Sequence, residues 1–220
     1  MHADVRGVEA MIKILVADDH EVVRRGLIGI LEEEYDMSVV SEAATAPEVI
    51  ENADSEELDV VVLDITMPGG GGLEALKELR VRHPGLPVLI LSIHPEEQYA
   101  VRVMKAGAAG YLTKDIAPSE LVTAIRRVVS GRKYVSTTLA EKLAEALEGG
   151  DSGSPHERLS DREYQLMILI ARGKTVSEIA GELSLSVKTV STYRARLLQK
   201  MNLRNNAEVM RYALERHLVD

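Results

Sequence analysis

The first two-thirds of the chain alternates apolar runs with stretches of helical spacing. Ile12 to Ala17 (IKILVA) is an apolar run closed by Asp18-Asp19. From His20 to Glu34, the apolar residues Val23, Leu27, Ile30 and Leu31 fall on one helical face. Met37 to Ala43 is a second, weaker strand, followed by a short helix near Pro47 to Asn52. In Leu58 to Gly69 (LDVVVLDITMPG), the β-branched run Val60 to Leu63 ends at Asp64, and Pro68-Gly69 closes it. Such a run reads as a strand buried on both faces, as a parallel sheet provides. Gly69 to Gly72 is a flexible loop before a helix over Leu73 to Arg82. Pro87 to Leu91 (PVLIL) is a fourth strand ending at Ser92, and Glu96 to Lys105 a helix. Gly107 to Leu112 suits a fifth, edge strand; Lys114 follows, and Pro118 opens a helix over Ser119 to Ser130. The expectation is an α/β fold, a (βα)5 doubly wound parallel sheet with right-handed crossovers.

Beyond this the pattern is helical only. Thr137 to Leu147 reads as a charged linker helix, and Gly149 to Pro155 (GGDSGSP) marks a boundary. Ser160 to Arg172 opens with Ser160 and Glu163 at capping-box spacing. Thr175 to Leu183 is a short helix, Ser184 to Ser186 a turn, Val187 to Met201 a longer helix and Ala207 to Arg216 a fourth. A short helix, a tight turn and a longer basic helix make a helix-turn-helix pattern. The expected organisation is an extension or mis-assigned start at 1–10, an α/β domain at 11–130, a linker with a helix at 131–158 and a small all-α, four-helix domain at 159–220.

Charge sharpens this division. The net charge is −9, yet residues 155–220 carry 11 Lys+Arg against 8 Asp+Glu, and the remainder 15 against 27. An acidic front and a basic back point to different partners. With no Cys, disulfides, thiol catalysis and thiolate metal sites are excluded. No apolar run reaches a membrane span and the first ten residues lack the apolar middle of a signal peptide, so no membrane association and a cytoplasmic location are expected.

The candidate chemistry gathers at the carboxyl ends of the strands, where open α/β sheets bind ligands. Asp18, Asp19 and Asp64 would repel one another there unless a cation lay among them, and hard oxygen donors favour Mg²⁺. The last two strands add the Ser92 hydroxyl and the Lys114 ammonium. That set suits a phosphoryl group on a carboxylate, with metal and Lys neutralising its oxygens and Ser92 donating to one. Taken singly, Asp18, Asp19 or Ser92 could be helix caps and Lys114 a solvated loop residue.

VADDH at 16–20, LDITMPG at 63–69, LSIH at 91–94 and GYLTKD at 110–115 resemble the receiver domain of bacterial two-component response regulators. The likeness runs from about Ile12 to Val129. It implies that Asp64 is the phosphoacceptor and that Asp19, Asp18 and the main-chain carbonyl of Thr66 join it on Mg²⁺. It also implies that Ser92 and Tyr111 form the switch with Lys114 beside them, and that Thr66 and His94 flank the phosphoryl site. The tetraglycine loop departs from the family's more varied loop. No organic cofactor is expected.

In the basic half, Val187 to Arg204 holds Lys188, Arg194, Arg196, Lys200 and Arg204 and no acid. Helical spacing predicts Val187, Val190, Leu197, Leu198 and Met201 on the core side, and Lys188, Ser191, Thr192, Arg194 and Ala195 outward. A positive helix with small polar residues suits the major groove of double-stranded DNA. Leu159 to Val219 resembles the LuxR-type helix-turn-helix of the NarL/FixJ class. The likeness implies base contacts at Ser191, Thr192 and Ala195 and backbone contacts from Lys188, Thr189, Tyr193, Arg194 and Arg196. Val176, Tyr193 and Asn206 depart from frequent family residues. The last helix, with Val209, Met210, Ala213 and Leu214, supplies a dimer contact in such proteins.

The reading is a transcription regulator that a sensor histidine kinase phosphorylates, forming a homodimer when phosphorylated or DNA-bound. Five neutralised phosphates per half-site would give a log–log salt slope of about −4 to −5. A Mg²⁺-dependent phosphohydrolase is the rival, but Thr66 stands two residues beyond Asp64 where that chemistry needs a general acid. A receiver acting through protein partners alone is the third reading. The sequence points to no turnover enzyme.

Overall fold

The computed structural model describes residues 11–68, 71–93, 96–148, 154–183, 185–216 and 218–219. Residues 1–10, much of the tetraglycine loop, His94 and the Gly/Ser-rich boundary 149–153 lie outside it. Two compact units are present: the first takes the chain up to Ile93 and Arg102–Val135, and the second takes His94–Val101 and the chain from Ser136 onward.

The first unit is a five-stranded parallel sheet in the order β2-β1-β3-β4-β5. Its strands are β1 (Ile12–Ala17), β2 (Met37–Ala43), β3 (Val60–Asp64), β4 (Val88–Ser92) and β5 (Gly110–Thr113). The intervening helices are α1 (Glu21–Glu32), α2 (Ala46–Ser55), α3 (Gly72–Arg82) and α4 (Glu96–Lys105), with α5 (Pro118–Val129) last. β3 and β4 are buried at every position, as uninterrupted apolar runs require. Alternation along the strands sends Ile14, Val16, Val60, Val62, Leu89 and Leu91 to one face, with Leu31 of α1 and Leu121, Ile125 and Val128 of α5. Leu15, Val61, Leu63, Val88 and Ile90 take the other face, and all are buried.

The fifth strand begins three residues later than its apolar pattern suggested. Gly107, at φ 103°, ends α4. The N–H groups of Gly107 and Ala108 bond back to the carbonyls of Met104 and Val103, a helix-terminating turn that uses up the first residues of the run. β5 is an edge strand, as expected. In α1 only Leu31 is fully buried; Leu27 and Ile30 are half-buried against the core.

The second unit holds α6 (Thr137–Glu148), a 3-10 turn (Pro155–Arg158), α7 (Asp161–Ala171), α8 (Val176–Glu182), α9 (Val187–Met201) and α10 (Asn206–Glu215). Nine consecutive residues of α7, Glu163 to Ala171, are buried. A helix buried all round lies at the centre of its unit, and α9, α8 and α10 pack on it. Ser160–Glu163 forms the predicted capping box, and Thr175–Glu178 forms a second at the start of α8.

The acidic crevice and the exposed helix

Strand order reverses between β1 and β3, so the loops that follow them diverge and leave a crevice at their carboxyl ends. Asp18, one residue beyond β1, is 1 % exposed, and Asp64, the last residue of β3, is 2 % exposed. Lys114 leaves β5 across the same edge, its N–H bonded to the carbonyl of Ser92 at 2.8 Å. Its Nζ lies 2.6 Å from Asp18 Oδ2 and 3.1 Å from Asp64 Oδ2. Among the described residues, Asp64 Oδ1 is buried with no hydrogen-bond partner.

The electrostatics follow from this geometry. Burial pushes the Asp64 carboxyl above its ordinary range and Asp18 adds to the rise, against the pull of Lys114 and the Thr66 N–H. Burial works against the Lys114 charge as well, yet Asp64 and Asp18 hold it above the usual lysine range. One ammonium is thus shared by two buried carboxylates, and the set retains a negative charge.

Asp18, Asp19, His20 and Asp64 each offer a ligand atom, all within 4.8 Å of one another. His20 has no counterpart in the sequence expectation. Its Nδ1 lies 2.9 Å from Asp19 Oδ1, and its N–H donates to Asp18 Oδ1 at 2.9 Å. This turn orients Asp18, and its signal was the sequence DDH directly after the strand. Ser92 is wholly buried at the end of β4, in register with Thr113, and Tyr111 is buried in β5 in register with Ile90. Thr66 is half-buried in the loop after β3. His94 lies outside the described residues.

Gly72 was expected to belong to a loosening loop. It is instead the first residue of α3, and a Cβ there would come within 2.0 Å of the Asp64 carbonyl oxygen. Its N–H bonds to Ile65 O at 3.0 Å. Only glycine lets α3 close on the main chain that carries Asp64.

In the second unit, α9 follows α8 after a four-residue link and is capped by Ser186, whose Oγ accepts from the Thr189 N–H at 3.0 Å. Lys188, Ser191, Thr192, Ala195 and Arg196 are exposed, as expected. Val190, Leu197 and Met201 form the buried line. Two expectations fail. Val187, assigned to the core side, is 51 % exposed. It sits roughly 60° off the buried line at about 100° per residue, and as the first helical residue it has no preceding turn to shelter it. Arg194, assigned outward, is half-buried, and its Nε donates to Asn206 Oδ1 at 2.6 Å. It lies only roughly 40° from that line, close enough to reach the start of α10. Thr189 and Tyr193 are half-buried too. Lys200 faces its own unit, with Nζ 2.6 Å from the buried carboxylate of Glu163.

Family comparisons agree with both halves. Residues 14–126 match the response regulator receiver domain, and residues 157–213 match the luxR family of bacterial regulatory proteins. The chain is 40 % identical over 209 residues to the response regulator UvrY of Escherichia coli (strain K12), covering 94 % of this chain and 96 % of that protein.

The chain belongs to the response regulators of the NarL/FixJ class.

Response regulator GacA of Pseudomonas aeruginosa is 38 % identical over 211 residues, 96 % of this chain and 99 % of that protein. Among solved structures, RcsB from Salmonella enterica serovar Typhimurium, bound to promoter rprA in the presence of phosphomimetic BeF3-, matches with a TM-score of 0.61 and 26 % identity. That match covers 92 % of this chain and 98 % of that one. As a response regulator of this class, the protein is a phosphorylation-dependent, DNA-binding transcription regulator of a two-component system. The acidic crevice lies within the receiver match and α9 within the luxR match. Among the described residues no helix is long and apolar enough to cross a membrane.

Proposed function

We propose that Asp64 is the residue that accepts the phosphoryl group. Its unpartnered, buried Oδ1, beside a Lys114 already held on Oδ2, carries this reading. The Asp64 Oδ1–phosphorus bond forms as the kinase's histidine nitrogen–phosphorus bond breaks, and the histidine leaves with its electron pair. Lys114 neutralises an incoming phosphoryl oxygen, and the Ser92 hydroxyl donates to another. Ser92 and Tyr111 then carry the change to the surface of the receiver. Oxygen donors from Asp18, Asp19 and Asp64, with the Thr66 carbonyl, fit Mg²⁺, and the excess negative charge favours a cation there. When bound, the ion offsets charge on the phosphoryl oxygens. His20 holds Asp19 in place.

The domain limits we assign are 11–130 for the receiver, 131–158 for a linker with α6, and 159–220 for the DNA-binding domain. Phosphorylation shifts a pre-existing equilibrium towards a homodimer in which α9 enters the major groove. Lys188 and Arg196 hold phosphates; Ser191, Thr192 and Ala195 face base edges; Thr189 and Tyr193 reach the backbone; and Arg194, tied to Asn206, supports the helix. RcsB dimers on DNA, a neighbour at 26 % identity, support that reading. The protein works in the cytoplasm and is not a turnover enzyme, since Thr66 stands where a phosphohydrolase needs its acid.

The test is acetyl phosphate with Mg²⁺, followed by intact mass. The wild type gains one phosphoryl group, and Asp64→Asn gains none. An equal adduct on both would remove Asp64 from the role, and steady release of phosphate from a phosphomonoester would revive the enzyme reading.

A further inference from the structure

On the exposed face of α9 the short polar side chains bond back into their own helix. Ser191 Oγ donates to Val187 O at 2.8 Å, and Thr192 Oγ1 donates to Lys188 O at 3.0 Å. Both hydroxyl protons are therefore spent inside the helix, and each oxygen turns only acceptor capacity outward. Arg194 has its Nε committed to Asn206. Thr189 Oγ1 is engaged with Ser186 Oγ at 2.7 Å. Lys188 and Arg196 are exposed on this helix and are the cations assigned above to phosphates; the short outward groups between them are apolar: the Val187 side chain, the Thr192 methyl and the Ala195 methyl. Val187 is the first residue of α9, where recognition helices meet base edges, and it stands in solvent although helical periodicity assigned it to the core.

In the major groove, guanine presents two acceptors and calls for donors, adenine and cytosine each present an amino donor, and thymine alone presents a methyl group. We propose that Val187, Thr192 and Ala195 read thymine methyl groups, so that α9 selects A·T pairs from the major-groove side, while Ser191 Oγ accepts from a neighbouring base amino group. Val187 is thereby a specificity-determining residue in addition to the three positions the family likeness supplies. The inference rests on α9 being the helix that enters the groove.

The test uses the full chain, phosphorylated with acetyl phosphate, and binding sites selected from random duplexes. Selected half-sites should hold A·T pairs under α9. Replacing single thymines there with deoxyuridine, which removes only the major-groove methyl, should weaken binding about fourfold per contacted methyl, the worth of one buried methyl-sized group. Replacing guanine with inosine, which alters the minor groove, should have no such effect. Val187→Ala should abolish the deoxyuridine penalty at one position. Thr192→Ser, which keeps the hydroxyl, should abolish it at another. Selected half-sites dominated by G·C pairs under α9, or deoxyuridine duplexes bound within twofold of the parent, would overturn the inference and leave DNA binding by α9 intact. Failure to bind any duplex, even at low salt, would overturn the underlying assignment of α9 together with it.

Discussion

Two carboxylates, one in each unit, are equally hidden from solvent and treated oppositely. Asp64 and Glu163 are each 2 % exposed. Glu163 Oε2 accepts from the Ser160 N–H at 2.7 Å and from Lys200 Nζ at 2.6 Å. Burial is thus outweighed, and Lys200 with Ser160 holds the acid below its ordinary range. Asp64 leaves one oxygen unpartnered, divides a single lysine with Asp18, and is pushed upward. Exclusion from solvent therefore does not by itself mark a reactive acid, although Asp64 also lies deeper among its neighbours than Glu163 does. What marks it is how much of its hydrogen-bonding and charge demand the fold leaves unmet. Glu163 closes α7 onto α9; Asp64 leaves part of its demand unmet.

Removing each acid should separate the two roles, and the largest stability effect belongs to Glu163. Glu163→Ala deletes half of a capping box and a charge-assisted bond to Lys200, whose side chain is 43 % exposed and can return to water. A loss of about 2 kcal/mol is expected. Urea unfolding of the full chain, followed by a signal from the helical unit, measures it. A loss below about 0.5 kcal/mol, the range of ordinary surface substitutions, would mean that Glu163 is as dispensable as they are.

Next in size is the response to metal. Mg²⁺ at ten times its dissociation constant should raise the wild-type receiver's unfolding free energy by about 1.4 kcal/mol, and Asp64→Asn should lose most of that gain. Equal stabilisation of both proteins would place the ion elsewhere.

Without metal, Asp64→Asn should be more stable than the wild type by about 1 kcal/mol at neutral pH, because it removes a charge that burial disfavours. The sign can be worked through. Asp64 is raised from 3.8, so the folded chain holds its proton longer than the unfolded chain does. Stability therefore falls as pH rises from 3.8 through the raised value, and Asn removes that fall. Glu163 is lowered from 4.5, so its contribution is full above 4.5 and is lost as pH falls through the lowered value. Unfolding free energies measured between pH 4 and 8 should diverge between wild type and Asp64→Asn in that direction; parallel curves would contradict the shift at Asp64.

How far the sequence carried this comparison differs between the two acids. Asp64 was legible because a buried strand leaves a continuous apolar run, and the residue ending that run must sit at the sheet edge. The meeting of Asp18, Asp64 and Lys114 at that edge follows from the same runs, whereas the strand order β2-β1-β3-β4-β5 is set by long-range pairing that no run announces. Glu163 was visible as a cap at fixed local spacing, but its partner Lys200 lies 37 residues further on, and no local pattern announces such a pair. The same limit explains Arg194, which reaches across to Asn206. Val187 and the start of β5 failed for a local reason: apolar periodicity has no means of saying where an element begins. Gly72 was misread because looseness and close approach both select glycine, and only the distance to Asp64 O tells them apart.

The smallest effect concerns how many phosphates α9 neutralises. Its segment carries five basic residues, yet Lys200 is bound to Glu163 and Arg194 is tied to Asn206. Lys188, Arg196 and Arg204 remain exposed. At about −0.9 per phosphate, three contacts give a log–log salt slope of about −2.7 per half-site in place of the −4 to −5 that five would give. Glu163→Gln sharpens the point. It keeps the side-chain shape and releases Lys200, so the slope should steepen by up to about 0.9 per half-site even as the fold weakens. A wild-type slope already near −4.5 would show that Lys200 and Arg194 leave their partners for the backbone, and the internal pairing of Glu163 would then be a resting arrangement that DNA dissolves.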